Sequence, residues 1–285
     1  MISLDNIIAL RQQIQQWKQA GLRVGFVPTM GNLHAGHISL LTLAKQHADR
    51  VVSSVFVNPL QFGIGEDFDR YPRTLTEDSQ KLASAGCDAL FAPSVGEMYP
   101  QGALQSKVCA PNGLTEVLEG ASRPGHFDGV TTVVAKLFNL VQPDVAVFGQ
   151  KDYQQWRVLQ TMVNELNWPV QMIKAPIARD MDGLALSSRN QYLTEAQRQV
   201  APKLYVVLQD LGQALRSGNQ NLRDLERAAS ERLLLEGFDA VDYVAIVDSQ
   251  TLQPIQSLQN SVVILAVARL GSTRLLDNIE LDDII

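Results

Sequence analysis

Val130-Thr131-Thr132-Val133-Val134-Ala135-Lys136-Leu137-Phe138-Asn139-Leu140-Val141-Gln142-Pro143-Asp144-Val145-Ala146-Val147-Phe148-Gly149 is the stretch that decides the fold. Val130, Val133, Val134, Leu137 and Val141 recur at i, i+3, i+4, i+7 and i+11, so they share one face of a helix. Pro143 closes that helix. Val145 to Phe148 is then a continuous apolar run ending at Gly149, the pattern of a strand buried on both faces of a parallel sheet.

The same alternation recurs on either side. Leu4, Ile7, Ile8, Ile14 and Trp17 lie at helical spacing up to Gly21, a natural helix stop. A strand over Leu22–Val27, ended by Pro28, leads to a helix from about Gly36 to Ala48. A second strand covers Val51–Val57, followed by a helix near Thr76–Ala85 and a strand at Cys87–Ala92. Beyond Gly149, Asp152 is placed to cap a further helix, with Gln155 three residues on as in a capping box. A strand at Val170–Ile173 completes the set.

After about Ile177 the texture changes. A Gly-, Ser- and Asn-containing loop precedes Thr194, an N-cap residue with Gln197 at the capping-box position. Two amphipathic helices follow, then two strands starting at Asp242-Tyr243-Val244 and Val262-Val263-Ile264. The expected fold is therefore α/β, a Rossmann-like doubly wound parallel sheet with a second, smaller α+β C-terminal domain. Residues 1–176 are expected to form the larger, parallel-sheet domain. Residues 177–285 are expected to form a lid domain, with a hinge around 177–190.

Composition narrows the function. The chain has 285 residues, 46% hydrophobic and 19% charged, with a net charge of −6. Such a chain can bury a substantial core, and its acidity argues against a nucleic-acid partner. The acidity is uneven: residues up to Pro176 carry 14 basic and 15 acidic side chains, the remainder 10 and 15. A pocket for an anion in the first part is thus compatible with the total. Cys87 and Cys109 make neither a disulfide framework nor a metal knuckle. The opening Met1–Asn6 does not resemble a signal peptide, and the longest apolar run, Val262–Ala268, is too short to span a bilayer. The expectation is a cytoplasmic protein without a membrane partner.

In open parallel sheets ligands gather where strands end and helices begin. Pro28-Thr29-Met30-Gly31-Asn32-Leu33-His34-Ala35-Gly36-His37 sits at such a point. A His-x-Gly-His element is expected by chance roughly 0.004 times in a chain of this composition. Either histidine alone would read as a helix-start residue. As a pair at a helix N-terminus, their rings and the free backbone N–H groups can serve a phosphate. Two histidines three apart without an acidic or thiol set do not make a zinc site, and no protein-held metal is expected.

This element resembles the nucleotide motif of the pantothenate synthetase (pantoate–β-alanine ligase) family. The likeness continues through Phe56–Phe62, Tyr71–Thr74, Leu118–Phe127, Phe148–Asp152 and Leu186–Asn190. These six segments, in family order, are spread over most of the first 190 residues. The resemblance implies condensation of (R)-pantoate with β-alanine through pantoyl adenylate, releasing pyrophosphate and AMP. It implies ATP with Mg2+ as co-substrate, no tightly bound organic cofactor, small-molecule partners and a homodimer.

Residue by residue, the resemblance makes His37, His34 and Lys151 catalytic. It places ATP against Met30, Gly31, Asn32, Leu33, His34, Ala35, Gly36 and His37, and against Gly149, Gln150, Lys151 and Asp152. Ala178, Leu186, Ser187, Ser188 and Arg189 join them from the expected lid, whose hydroxyls and guanidinium suit a pyrophosphate leaving group. Gln61 and Gln155 are implied as pantoate-side residues, since an amide can donate to a carboxylate and accept from a hydroxyl. Arg123 and His126 are lesser candidates for shaping the site. Glu77 and Asp78 could be magnesium-side carboxylates or a solvated helix face. Gln150 stands where many relatives carry Glu, so a catalytic acid is not expected there. Other adenylyl transferases of this fold, and an ATP-binding sensor without turnover, remain the competing readings.

Overall fold

The alternation of strands and helices produces, in a computed structural model, a six-stranded sheet whose pairings are all parallel. The structure describes residues 1–102, 106–258 and 261–282. The chain divides into two units, one of Met1–Gly149 with Gln155–Ala175, the other of Gln150–Gln154 with Pro176 onward.

The first unit opens with β1 (Ile2–Leu4), α1 (Ile7–Gln19), β2 (Val24–Thr29), α2 (Ala35–Lys45) and β3 (Arg50–Val55). Next come α3 (Leu75–Ser84) and β4 (Ala89–Phe91), then the short helices α4 (Val95–Met98), α5 (Asn112–Thr115) and α6 (Leu118–Ser122). The deciding stretch is α7 (His126–Val141) and β5 (Val145–Gly149), followed by α8 (Tyr153–Glu165) and β6 (Gln171–Ala175). The order β1-β4-β3-β2-β5-β6 reverses direction at β2 and β5, so the crevice that opens there lies at their carboxyl ends.

Alternate residues of each central strand enter different cores, which is why these strands read as continuously apolar. Phe26, Ala146 and Phe148 pack with α1, α7 and α8 through Ile14, Leu137 and Leu159. Val27, Val145 and Val147 pack on the opposite face with Leu41 of α2 and Leu82 of α3.

Pro28 does not end β2, which runs on to Thr29. The ladder with β5 covers only Gly25 and Phe26. Thr29 O accepts from Phe56 N on the β3 side, so Pro28 turns its backbone the other way, beyond that ladder, where a missing N–H costs no bond. β1 is a strand that the sequence reading takes as the start of a helix; it is three residues long and pairs only with β4.

The second unit packs α9 (Glu195–Val200), α10 (Lys203–Arg216) and α11 (Leu222–Leu235) with an antiparallel sheet. Its strands are β7 (Ala240–Asp248), β8 (Ser261–Leu270) and β9 (Thr273–Asp282), in that order. Leu204, Leu208, Leu211 and Leu215 of α10 share a core with Val262, Ile264 and Ala266 of β8. The capping box at Thr194 and Gln197 forms as the sequence predicts. Among the described residues this unit has three α-helices beyond residue 190 and three strands, where the sequence suggests two of each.

Candidate active site

The turn leaving β2 owes its shape to two successive left-handed residues, Gly31 at φ +86° and Asn32 at φ +50°. A Cβ on Gly31 would also stand 3.0 Å from Asp78 Oδ2 and Val55 Cγ1, so the position admits little but glycine. Asp78, fully buried on α3, accepts from Asn32 N at 2.9 Å, Leu33 N at 2.7 Å and Thr74 Oγ1 at 3.0 Å. Lys81, one turn on, donates to Leu33 O at 2.6 Å.

Asp78 therefore holds the motif loop, and neither sequence-based alternative for it applies. It lies on no solvated face, and both of its oxygens are committed to the loop. Removing the carboxylate would orphan two backbone N–H groups in the interior. Asp78→Ala is expected to lower stability by about 3 kcal/mol and to depress turnover as the loop loosens. Urea unfolding and initial rates measure both, and stability within about 0.5 kcal/mol of wild type would show that other contacts suffice.

The spacing of the two histidines is that of a capping box. His34 is the N-cap of α2, and its Nδ1 accepts from Gly36 N at 3.2 Å. His37, at N3, reaches back so that its Nδ1 accepts from His34 N at 3.2 Å. The rings lie 4.1 Å apart, tilted by 44°. An Nδ1 that accepts leaves a neutral ring protonated on Nε2, so each imidazole is set as an Nε2–H donor. This changes one expectation: two N–H groups of the helix start are occupied by the rings, which offer their own donors in exchange.

Gln61 closes the short 3₁₀ turn Pro59–Gln61 after β3 and is buried. Its Oε1 accepts from Asn58 Nδ2 at 3.1 Å, which leaves Nε2 as the donor end of the amide. Asn58 is itself fixed: it donates to Gly129 O at 3.1 Å and accepts from Tyr99 OH at 2.8 Å. Gly129 is glycine because a Cβ there would lie 2.3 Å from Leu60 O, pressing α7 off the turn. Gln155 is half-buried in the first turn of α8.

His126 and Arg123 converge on the same turn. His126 Nδ1 lies 2.8 Å from Gln61 O, and its Nε2 lies 3.0 Å from Arg123 Nη1. A carbonyl can only accept and a guanidinium can only donate, so the ring is the neutral Nδ1–H tautomer. Burial, reinforced by the Arg123 charge, lowers its pKa to about 4. Arg123 also forms a two-point pair with Glu66, at 2.7 and 2.6 Å. Burial alone would raise the Glu66 pKa, but the Arg123 hydrogen bonds and charge bring it below the ordinary value. The sequence reading missed Asn58, Glu66 and Tyr99 as parts of this arrangement; Asn58 and Glu66 fall in or beside motif segments, but nothing local marks their partners.

In the second unit, Gln150, Lys151 and Asp152 form a 3₁₀ turn, and the α-helix begins at Tyr153, the residue after the expected cap. Asn278 of β9 holds this turn, donating to Gln150 O at 3.0 Å and Lys151 O at 2.9 Å. Gln150 Nε2 returns a bond to Asn278 Oδ1 at 3.3 Å, a structural role for the residue where an acid was not expected. Asp152 lies 3.8 Å from Lys151 Nζ.

The 178–190 loop is pinned from β9 as well. Arg179 donates to both oxygens of buried Asp277, at 2.6 and 2.8 Å, and stacks 3.5 Å over the Tyr205 ring. Ala178 O accepts from Leu186 N at 2.9 Å, and the Ser187 hydroxyl caps the Ser188–Tyr192 turn by accepting from Arg189 N. The structure thus brings His34, His37, Gln61 and Gln155 into one unit and Lys151, Ala178, Ser187, Ser188 and Arg189 into the other.

Comparison with known proteins gives a consistent result. The model of the pantoate–β-alanine ligase family matches residues 3–280. A pantothenate synthetase from Hydrogenovibrio crunogenus is 58% identical, covering 98% of this chain and 99% of its own. One from Pseudomonas fluorescens is 53% identical, covering 99% and 98%. The crystal structure of pantothenate synthetase from Thermus thermophilus superposes with a TM-score of 0.91 at 44% identity, covering 100% of this chain and 99% of that one. That of the Francisella tularensis ligase, complexed with β,γ-ATP and β-alanine, gives 0.82 at 36% identity, covering 98% and 97%.

Proposed function

The chain belongs to the pantoate–β-alanine ligase family, and from that premise we propose how its residues divide the work. The reaction is the ATP-dependent condensation of (R)-pantoate with β-alanine to pantothenate. A pantoate carboxylate oxygen attacks the α-phosphorus of ATP, giving pantoyl adenylate and expelling pyrophosphate. The β-alanine nitrogen then attacks the acyl carbon, and AMP leaves with the bridging oxygen.

The observation that carries the assignment is the histidine capping box at the carboxyl end of β2, beside the sheet's reversal point. Its two Nε2–H groups suit the α-phosphate oxygens, which gain charge as the carboxylate adds. The loop Met30–Leu33, with Ala35 and Gly36, lies against the nucleotide, as do Gly149, Gln150 and Asp152. Lys151 is the cation for the triphosphate. Ser187, Ser188 and Arg189, with Ala178 and Leu186, serve the β- and γ-phosphates and the departing pyrophosphate. Gln61 and Gln155 hold pantoate. Mg2+ would enter with ATP as part of the co-substrate and would offset the charge of its phosphates.

In this proposal residues 1–176 carry the chemistry and the remainder acts as a lid, hinged around 177–190, that keeps the acyl adenylate from water. A homodimer and a cytoplasmic setting complete it. Both cysteines are free, in keeping with a reducing compartment, and among the described residues no helix is long and apolar enough to cross a membrane. The decisive test is isotope exchange between ATP and pyrophosphate. Exchange should require pantoate and proceed without β-alanine; its absence from a folded preparation would exclude the adenylate route.

A further inference from the structure

Gln61 is held through its backbone as well as its side chain. Its carbonyl receives His126 Nδ1 at 2.8 Å and Arg123 Nη2 at 3.3 Å, while its Oε1 is fixed by Asn58. Arg123 in turn spends Nε and Nη2 on the carboxylate of Glu66 and Nη1 on His126 Nε2. The Arg123 and His126 bonds to the Gln61 carbonyl and the Arg123 bonds to Glu66 bridge stretches of chain about 60 residues apart, and the network converges on the Gln61 turn.

We propose that Glu66, Arg123 and His126 are positioning residues for the hydroxy acid, a clasp that fixes the Gln61 turn so that its amide presents Nε2 to pantoate. This rests on Gln61 being a pantoate contact. Three observations support it. First, the Glu66–Arg123 pair has side-chain exposures of 26% and 19%, and partly exposed pairs contribute little to stability, so folding alone does not account for its geometry. Second, the neutral His126 has one tautomer that satisfies both neighbours, and either an added proton or the other tautomer would break the chain of bonds. Third, Glu66 sits on a self-packed loop: the Phe62 ring lies 5.3 Å from Phe68 and 5.9 Å from Tyr71, and the Arg73 guanidinium covers Phe68 at 5.4 Å. The clasp therefore ties that loop, the start of α7 and the Gln61 turn into one body.

Pantoate-dependent ATP–pyrophosphate exchange separates the KM for pantoate from that for ATP. Arg123→Lys and His126→Phe are each expected to raise the pantoate KM about tenfold, with the ATP KM within about twofold. His126→Asn keeps an N–H for the Gln61 carbonyl and should recover most of the loss. In a Gln61→Ala background, Arg123→Lys should add less than about twofold, since its effect passes through Gln61. Circular dichroism and the thermal midpoint confirm folding; should Arg123→Lys fold poorly, Glu66→Gln makes the same comparison.

A raised pantoate KM in Gln61→Ala but not in Arg123→Lys, Glu66→Gln or His126→Phe would overturn the clasp and leave the Gln61 assignment standing. An unchanged pantoate KM in Gln61→Ala would overturn both. Equal rises in the pantoate and ATP KM values would show a general loosening and not positioning.

Discussion

His34→Ala and His37→Ala are each expected to lower kcat by about two orders of magnitude or more, the usual cost of losing a donor to a transition-state oxyanion. Each ring does two jobs through different atoms, which makes the prediction separable. Nδ1 caps α2, and losing a cap costs about 1 kcal/mol of stability. Nε2–H is the donor assigned to the α-phosphate. His34→Asn keeps an acceptor near the Nδ1 position but places no donor where Nε2 stood. Its stability should return toward wild type while its turnover stays low. Near-wild-type turnover in both alanine variants would remove the histidines from the mechanism. Recovery of turnover in His34→Asn would reduce His34 to a helix cap.

The histidine pair was legible in the sequence because its geometry is local. Three residues apart is both the motif spacing and the N-cap-to-N3 spacing, so one turn of helix sets both rings. The α7–β5 stretch was legible for a similar reason: the apolar period and the closing Pro143 act within a few residues. Its helix ends on Gln142 in a left-handed conformation, φ +47°, just before that proline.

What stayed hidden depends on partners far along the chain. β9 was missed because Asp277 and Asn278 interrupt its apolar pattern. Those two buried polar residues are spent on Arg179 and on the Gln150–Lys151 turn, 98 and about 128 positions away. Asp78 read as a magnesium-side carboxylate or part of a solvated helix face because nothing in α3 announces that Asn32 and Leu33 will meet it across 46 and 45 positions. Glu66 and Tyr99 have the same character. Buried polar groups with distant partners break the binary pattern that makes the rest readable.

Lys151→Met is expected to lower kcat/KM for ATP by about 10- to 100-fold, with the thermal midpoint almost unchanged. The lower bound follows from a charge-assisted hydrogen bond, worth about 1.5–3 kcal/mol when both partners are desolvated. Stability should hold because the backbone of the turn does not depend on Nζ. Asn278 grips the carbonyls of Gln150 and Lys151, and methionine retains most of the lysine stem. Lys151 pairs with Asp152 at 3.8 Å, with the carboxylate half exposed. Pairs of that kind contribute about 0–1 kcal/mol, too little to explain a hundredfold loss by unfolding. Asn278→Ala offers the complementary test. It leaves the charge in place but frees the turn, so ATP use should fall together with stability instead of apart from it. An unchanged ATP dependence in Lys151→Met would take Lys151 out of the phosphate site and leave the cationic work to Arg189.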